Sequence, residues 1–476
     1  MFERWFRLSE HGTNVRTEVL AGLTTFLTMA YIIFVQPAVL SGTMFGTETG
    51  LDFGAVMTAT CLAAALATGL MAVYARYPIA LAPGMGENFF FVSMVALIAQ
   101  GAQSGSLALG ESAPWQVALG VIFVSGLLFL VVSVLGLQKT LLAALSPSMR
   151  SAIAVGIGLF IAFIGLRSGS LVLVDRGLSV NPRFASPDLL VFFFGLLVTA
   201  GLHARRVRGS IVWGILAAAV LAVLLKHGLP LLPEAIARSP LVTESKLMRD
   251  FTVAESVVAL PPSLAPTLLQ MDVVRALSLK MLPFVLIFLF MDVFDTLGTL
   301  IGVGEQAGLI RDGEMPRMRE ALVSDAAGTA AGAALGTSTV TSFIESAAGV
   351  EQGGRTGLTA LVIAVLFLVA LFFSPIVAMV GNYPPITAPA LVVVGSLMMR
   401  NISRIEWSNF AEAMPSFLVI VGIPLTYSIA DGLALGFITY PLVKLLSGQG
   451  RQVKWLMYVM ALVLVAYFVL VRAQAG

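Results

Sequence analysis

The sequence predicts an all-α polytopic membrane protein of fourteen spans, built as a 7+7 inverted repeat, and three observations predict it. Hydrophobic residues make up 58% of the 476 positions and charged residues 11%, so apolar runs of spanning length recur from end to end. Basic residues collect in every second loop between those runs. Two runs, one in each half, are interrupted by glycine, proline and hydroxyl residues at corresponding places.

Apolar windows with their Gly, Pro and charged boundaries place spans near 17–40, 53–75, 79–100, 114–136, 147–167, 187–204 and 209–226 in the first half. The second half reads 276–303, 317–335, 337–352, 356–380, 384–400, 411–428 and 430–447, with a further apolar segment at 453–471 that either crosses the membrane or lies along it. Ahead of the first span, MFERWFRLSEHGTNVRTE lacks the apolar core and cleavage site of a signal peptide and reads as a short cytosolic amphipathic segment. The one cysteine, Cys61, lies inside a hydrophobic run, which leaves no disulfide framework and no thiolate metal site.

The charge distribution tests this count. Arg4, Arg7 and Arg16 precede the first span; Arg76, Lys139 and Arg150, then Arg205, Arg206 and Arg208, mark later loops on the same side. Arg311, Arg317 and Arg319, then Arg355, then Arg400 and Arg404, then Lys444, Arg451 and Lys454 continue the pattern. The opposite loops at 41–52, 101–113 and 381–384 carry no Lys or Arg. The segment 227–273 holds Arg238, Lys246 and Arg249 but is long enough to escape the rule, and it falls between the halves. A cytoplasmic N-terminus follows.

Within the spans, the third opens with YPIALAPGMGENFFF and the tenth with LGTSTVTSFIESAAG. Each reads as an extended approach followed by a short helix. Irregular backbone survives at membrane depth only where protein or a water-filled cavity satisfies it, and an ionisable group there costs about 2.5–3.5 kcal/mol or more. Half-helices meeting near the midplane aim their N-terminal amides at whatever lies between them. Pro83, Gly84 and Gly86 break the third span ahead of Glu87, Asn88 and Phe89; Thr337, Ser338, Thr339, Thr341 and Ser342 lead to Glu345 in the tenth. A substrate site is expected there.

The eighth span, FLFMDVFDTLGTLIGVGEQ, adds Asp292, Asp295, Thr296, Gly298 and Thr299, whose three-residue spacings put them on roughly one helix face. Two carboxylates so placed cannot both stay ionised cheaply, because desolvation and mutual repulsion penalise the charged forms. At least one is a candidate proton carrier. A planar heterocycle needs an apolar face and a few in-plane donors and acceptors, which Asn88, Glu345 and Asp295 offer, with Phe89 placed to cover a ring.

The same residues admit structural readings. Asp292 or Asp295 bonded to a neighbouring helix end, Glu345 as a helix cap, Glu87 paired with Arg or backbone amides, and Asp325 as a helix-contact residue are each compatible with the pattern. Phe89, Phe90, Phe91, Phe294 and Phe343 are individually ordinary packing residues. Gly328, Gly332 and Gly336 recur every four residues, which predicts close packing of the ninth span. Enzyme signals are missing: there is no GxxxxGK[ST] loop and no HExxH, and the three histidines, His11, His203 and His227, sit at membrane edges. No enzyme activity, cofactor, metal or nucleic-acid partner is expected, and an ion gradient has to drive any transport.

The strings TEVLAGLTTFLTMAYIIFV, APGMGENFFF, MDVFDTLGTLIGV and GTSTVTSFIESAAGVEQGGRTGLTA resemble those of the AzgA-like adenine, guanine and hypoxanthine permeases of the nucleobase-cation symporter-2 superfamily. The resemblance runs from about residue 14 to the C-terminus. It implies a purine importer of the bacterial inner membrane, driven by proton symport and elevator-like alternating access, often as a homodimer in the lipid bilayer. It also implies a core domain at 17–136 and 274–380 and a gate domain at 137–226 and 381–448, flanked by a cytosolic segment 1–16, the extracytoplasmic loop 227–273 and the C-terminal segment 449–476.

On that resemblance the base is bound by Asp295, with Asp292 one turn earlier, by Glu345 and by Asn88; the residues themselves add Phe89, Thr341 and Ser342 as candidate substrate-binding residues and make Glu87, Asp292, Asp295 and Glu345 the candidate proton-coupling residues. Two positions depart from the family pattern: Glu87 stands where a leucine is usual, and Gln36–Pro37 where an Asn-Pro ends the first span. The competing expectation is an anion carrier of the related sulfate and bicarbonate architecture. Four acidic side chains with no membrane-centred Lys or Arg work against it.

Overall fold

The computed structural model describes residues 2–45, 48–105, 107–137, 145–174, 177–310 and 315–468. Lys139, Arg311 and positions 469–471 of the terminal apolar segment lie outside them. The chain is predominantly helical. In the first half, α1 (Val15–Met29) and α2 (Tyr31–Leu40) together make the first expected span, followed by α3 (Phe53–Leu70), α4 (Met85–Gln103), α5 (Pro114–Leu135), α6 (Pro147–Ser168), α7 (Pro187–Ala204) and α8 (Ser210–Gly228). The second half contributes α9 (Leu282–Gln306), α10 (Met318–Leu335), α11 (Ser346–Glu351), α12 (Gly357–Ala370), α13 (Ser374–Gly381), α14 (Pro384–Met398), α15 (Phe410–Thr426), α16 (Ile429–Leu446) and α17 (Trp455–Tyr467).

Helix starts follow local chemistry. Asn14 accepts a hydrogen bond from the Thr17 amide at 3.0 Å, Asp52 from Ala55 at 2.7 Å, and Ser146 from Met149 at 3.2 Å with Pro147 in the first turn. Each satisfies an amide that the helix itself leaves unpaired.

Among the described residues, eleven helical segments are long and apolar enough to cross a bilayer. Three expected spans are not among them, for physical reasons. The ninth falls on α10, a full helix whose Ala- and Gly-rich sequence carries Arg319, Glu320 and Asp325. The thirteenth falls on α15, 17 residues long with Pro415 and Pro424 inside it. The tenth is a short strand, β4 (Val340–Ser342), then a turn and the six-residue α11, too short to build much of the axial dipole expected of a half-helix. The terminal apolar segment falls on α17, whose described residues number 13, roughly 20 Å of helix at 1.5 Å per residue.

β4 pairs antiparallel with β1 (Leu81–Pro83), with Leu81 opposite Ser342, Ala82 opposite Thr341 and Pro83 opposite Val340, while β2 (Val172–Val174) and β3 (Leu178–Val180) form a separate antiparallel pair. Two further bonds extend the ladder, Gly84 N to Thr339 O at 3.1 Å and Phe343 N to Ala80 O at 2.9 Å. The Thr68 hydroxyl donates to Leu81 O at 2.8 Å and accepts from Leu81 N at 2.9 Å, while Ala80 N donates to Ser346 Oγ at 3.0 Å. Non-helical backbone is thus satisfied deep inside the protein, the condition for its survival in a bilayer.

Helices pack in two sets. α3 lies against α10 and α12, α5 against α10, and α1 against α12; separately, α6 packs on α14 and α15, α15 on α16, and α7 on α8 and α14. The glycine repeat of α10 works as expected: a Cβ on Gly328 would sit 2.6 Å from the Ala67 Cβ, and one on Gly332 3.0 Å from Ser338 O. The long loop is tied down by Asp188, which accepts from the Lys246 and Leu247 amides, both at 2.9 Å, and from the Tyr383 hydroxyl at 2.6 Å.

Candidate substrate site

Five carboxyl groups gather around the β1–β4 pair: Glu87 in the first turn of α4, Asp292 and Asp295 in α9, Asp325 in α10, and Glu345 at the start of α11. The charges that act on them most strongly include one another. Glu87 interacts with Asp295 and Asp325, Asp292 with Asp325, Glu87 and Asp295, and Glu345 with Asp295. Among the described residues, no three of them are arranged to hold a metal ion.

These carboxyls divide into two kinds. Asp292 and Asp325 have no exposed surface, and Glu87 is 3% exposed. Asp325 Oδ2 accepts from Thr296 at 2.7 Å and from Ser342 at 3.1 Å; Asp292 Oδ2 accepts from Thr329 at 2.9 Å. The second oxygen of each has no hydrogen-bond partner. Thr329 also ties β4 to α10, since its hydroxyl oxygen accepts from Val340 N at 3.1 Å and lies 2.9 Å from Val340 O, its single proton shared between that carbonyl and Asp292 Oδ2.

By contrast, Asp295 is exposed and Glu345 half-buried. Asp295 Oδ2 accepts from the Thr341 hydroxyl at 3.2 Å, and Glu345 Oε1 accepts from the Tyr31 hydroxyl at 3.1 Å. Asp295 begins a stripe of exposed positions along α9 that continues through Gly298, Ile301 and Glu305. A Cβ on Gly298 would meet nothing within 4 Å, whereas one on Gly302 would touch Ile344 at 3.7 Å, so the stripe is open at Asp295 and bordered by the turn that carries Glu345. The three-residue spacing of Asp292 and Asp295 rotates them about 60° apart on the helix, enough to turn one into the α10 interface and the other into the open space.

The other residues named from the sequence lie behind this opening. Asn88 has no exposed surface. Its amide closes a ring: Asn88 Nδ2 donates to Gln36 Oε1, Gln36 Nε2 donates to Ser338 Oγ at 2.9 Å, and Ser338 Oγ donates to Asn88 Oδ1. With all of these partners made, Asn88 faces no ligand space in this conformation. Phe89 is equally buried and meets Phe45 and Phe160 edge-on at 5.7 and 6.1 Å between ring centroids; Phe160 in turn meets Tyr427 at 5.4 Å. Ser342 is 2% exposed and donates to Asp325, and Thr341 is buried but bonded to Asp295.

The expectation that Glu345 only caps its helix is not met, for its side chain makes no capping bond. Glu87 folds back over Gly84, where any Cβ would collide with its Oε2, so that position accepts only glycine without displacing the carboxyl. Sequence reasoning passed over Tyr31, Gln36 as a network residue, and Thr329. A tyrosine hydroxyl buried in an apolar run needs a partner. That was the signal available for Tyr31, but nothing local named Glu345, which is 314 residues away.

The family model Xan_ur_permease, described as "Permease family", matches residues 16–435. The guanine/hypoxanthine permease PbuG of Bacillus subtilis is 40% identical over 474 residues, covering 98% of this chain and 99% of that one. The adenine permease AdeP of Escherichia coli is 35% identical over 476 residues, covering 100% and 97%. In fold, the chain resembles the transmembrane domain of a cyanobacterial bicarbonate transporter, BicA, with a TM-score of 0.61 at 16% identity over 89% of this chain and 97% of that one. By its sequence matches the chain belongs to the Permease family, within the AzgA-like purine permeases of the nucleobase-cation symporter-2 superfamily.

Proposed function

We propose that this protein imports a purine nucleobase by proton symport across the bacterial inner membrane, with Asp295 and Glu345 as the groups that bind the base. The carrying observation is that, of the five clustered carboxyls, these two are not buried and flank the open stripe of α9. A carboxylate accepts from ring and exocyclic N–H groups, so two of them on one opening suit the edge of a neutral purine. Relatives that transport guanine and hypoxanthine, and another that transports adenine, support the purine class without choosing among its members.

Thr341 holds Asp295 from behind. Asn88, with Gln36 and Ser338, keeps the β4 approach fixed; Phe89 joins Phe160 and Tyr427 in an aromatic contact between the two helix sets. In this reading the chain has fourteen spans in a 7+7 inverted repeat, a cytoplasmic N-terminus, and a core (17–136, 274–380) that slides against a gate (137–226, 381–448). The two sets of packed helices support that division. With the far end of α9 read as cytoplasmic from the nearby Arg317 and Arg319, the open stripe corresponds to an inward-facing state. Neutralising one of Glu87, Asp292, Asp295 or Glu345 with a proton lowers the cost of moving the core through the bilayer. Assembly as a homodimer belongs to the same proposal. The likeness to a bicarbonate transporter bears on fold alone, and a cluster of carboxyls repels anions.

The test is uptake of labelled adenine, hypoxanthine, guanine, xanthine and uracil by cells lacking their own nucleobase carriers, with and without a protonophore. Saturable purine uptake that collapses with the protonophore is expected. Absence of uptake of every base, with the protein at the membrane, contradicts the proposal and favours an anion substrate.

A further inference from the structure

Proton symport poses a chemical conflict at Asp295. A carboxyl that carries the transported proton has given up part of its capacity to accept hydrogen bonds from the base it is supposed to bind. The proton has to be kept elsewhere while the carboxylate works.

A continuous path leads away from Asp295 into the protein. Asp295 Oδ2 lies 3.2 Å from Thr341 Oγ1, Thr341 Oγ1 3.0 Å from Thr296 Oγ1, and Thr296 Oγ1 2.7 Å from Asp325 Oδ2. Every step is within hydrogen-bonding range, and once Asp295 carries a proton each hydroxyl can accept on the Asp295 side and donate on the Asp325 side, as a proton relay requires. At the far end, Asp325 has no exposed surface, and its Oδ1 has no hydrogen-bond partner. A buried carboxylate oxygen without a donor is expensive, and a proton on that carboxyl removes the charge that makes it so. Ser342 donates to Asp325 Oδ2 at 3.1 Å and holds the carboxyl at the end of the path.

We propose that Asp325 is an internal proton store, filled from and emptied to Asp295 through the hydroxyls of Thr341 and Thr296. The proposal rests on the proton-symport reading above. In the filling step, protonated Asp295 donates its proton to Thr341 Oγ1, the Thr341 hydroxyl proton passes to Thr296 Oγ1, and the Thr296 hydroxyl proton passes to Asp325 Oδ2. Three O–H bonds break and three form. Asp295 ends as a carboxylate, both threonines end as hydroxyls pointing the other way, and Asp325 ends as a neutral acid. Emptying is the reverse. Facing this path are Glu87, Asp292 and Glu345, whose negative charge favours keeping one proton in the cluster, with the Tyr31 hydroxyl on Glu345. Substrate and proton then travel on different carboxyls of the same core.

The test uses the full chain in proteoliposomes, with the purine that the wild type takes up, and two readouts: counterflow exchange without a gradient, and accumulation under an imposed pH gradient. Thr296→Val removes the middle hydroxyl and Thr296→Ser keeps it. Thr296→Val is expected to hold counterflow within about twofold and to lose about tenfold or more in accumulation, a factor of ten corresponding to 1.4 kcal/mol of coupling. Thr296→Ser is expected to accumulate like wild type, and Asp325→Asn to lose accumulation as Thr296→Val does. Accumulation by Thr296→Val at the wild-type level overturns the store, as does a parallel fall of counterflow and accumulation, the mark of a structural role. A wild type that exchanges purine but does not respond to the pH gradient overturns the symport reading and the store with it. A wild type that exchanges no purine overturns the substrate instead.

Discussion

The two places where the chain passes from strand to helix, β1 into α4 and β4 into α11, look alike in sequence and differ in chemistry. At the first, no side chain faces open space: Asn88 closes its ring with Gln36 and Ser338, Phe89 has no exposed surface, and buried Glu87 is folded over Gly84. At the second, Glu345 is half-exposed with a single tyrosine hydroxyl on its carboxyl, opposite an open helix face that carries Asp295. The lesson is that a broken helix in a membrane can be a scaffold or a site. Unused hydrogen-bonding capacity next to open space distinguishes them.

The largest break in this contrast comes from Glu345→Gln. Losing a hydrogen bond to a charged group costs about 1.5–3 kcal/mol, so purine transport efficiency should fall roughly 10- to 150-fold with membrane insertion intact, as read by uptake kinetics and surface quantification. Asn88→Ala acts on the other break and should read out first as stability. It strips partners from buried Gln36 and Ser338 at about 1–3 kcal/mol for an orphaned group, which lowers the melting temperature in detergent. A melting curve unchanged from wild type would refute the scaffold role.

Two glycines sharpen the comparison. Gly84→Ala drives a Cβ into Glu87 and should cost about 1–3 kcal/mol of stability, whereas Gly298→Ala adds a Cβ to open space in a helix and should leave stability unchanged or raise it by up to about 1 kcal/mol. Thermal unfolding of the pair checks the sign of each. The smaller of the two effects on transport belongs to Tyr31→Phe, which frees Glu345 at the loss of one neutral hydrogen-bond donor; about 0.5–1.5 kcal/mol corresponds to a roughly 2- to 12-fold change in KM, without loss of folding.

Much of this was legible in the sequence because the bilayer forces it to be. Apolar run length, alternating basic loops and the Gly-Pro-hydroxyl interruptions located most helices and both breaks, and Asp295 and Glu345 stood out as charges where charge is costly. What could not be read was which of the marked residues face space. The spacing of Asp292 and Asp295 gave a shared face, yet one lies against Thr329 of α10 and the other beside open space; that outcome depends on where α10 packs. Nor does a sequence pair Tyr31 with Glu345, or thread Thr341 and Thr296 between Asp295 and Asp325, because those contacts form only when segments distant in the chain fold together.

The most direct measurement of the central claim, that the open space between Asp295 and Glu345 is the purine site, is substrate protection of a single engineered thiol. The sole native cysteine, Cys61, is fully buried, so Gly298→Cys supplies one reactive group at the opening. In inside-out vesicles a membrane-impermeant maleimide should label it, and the transported purine should slow that labelling at concentrations that saturate uptake. Labelling at the same rate with every purine, for a variant that still takes purine up, would contradict the assignment of the site.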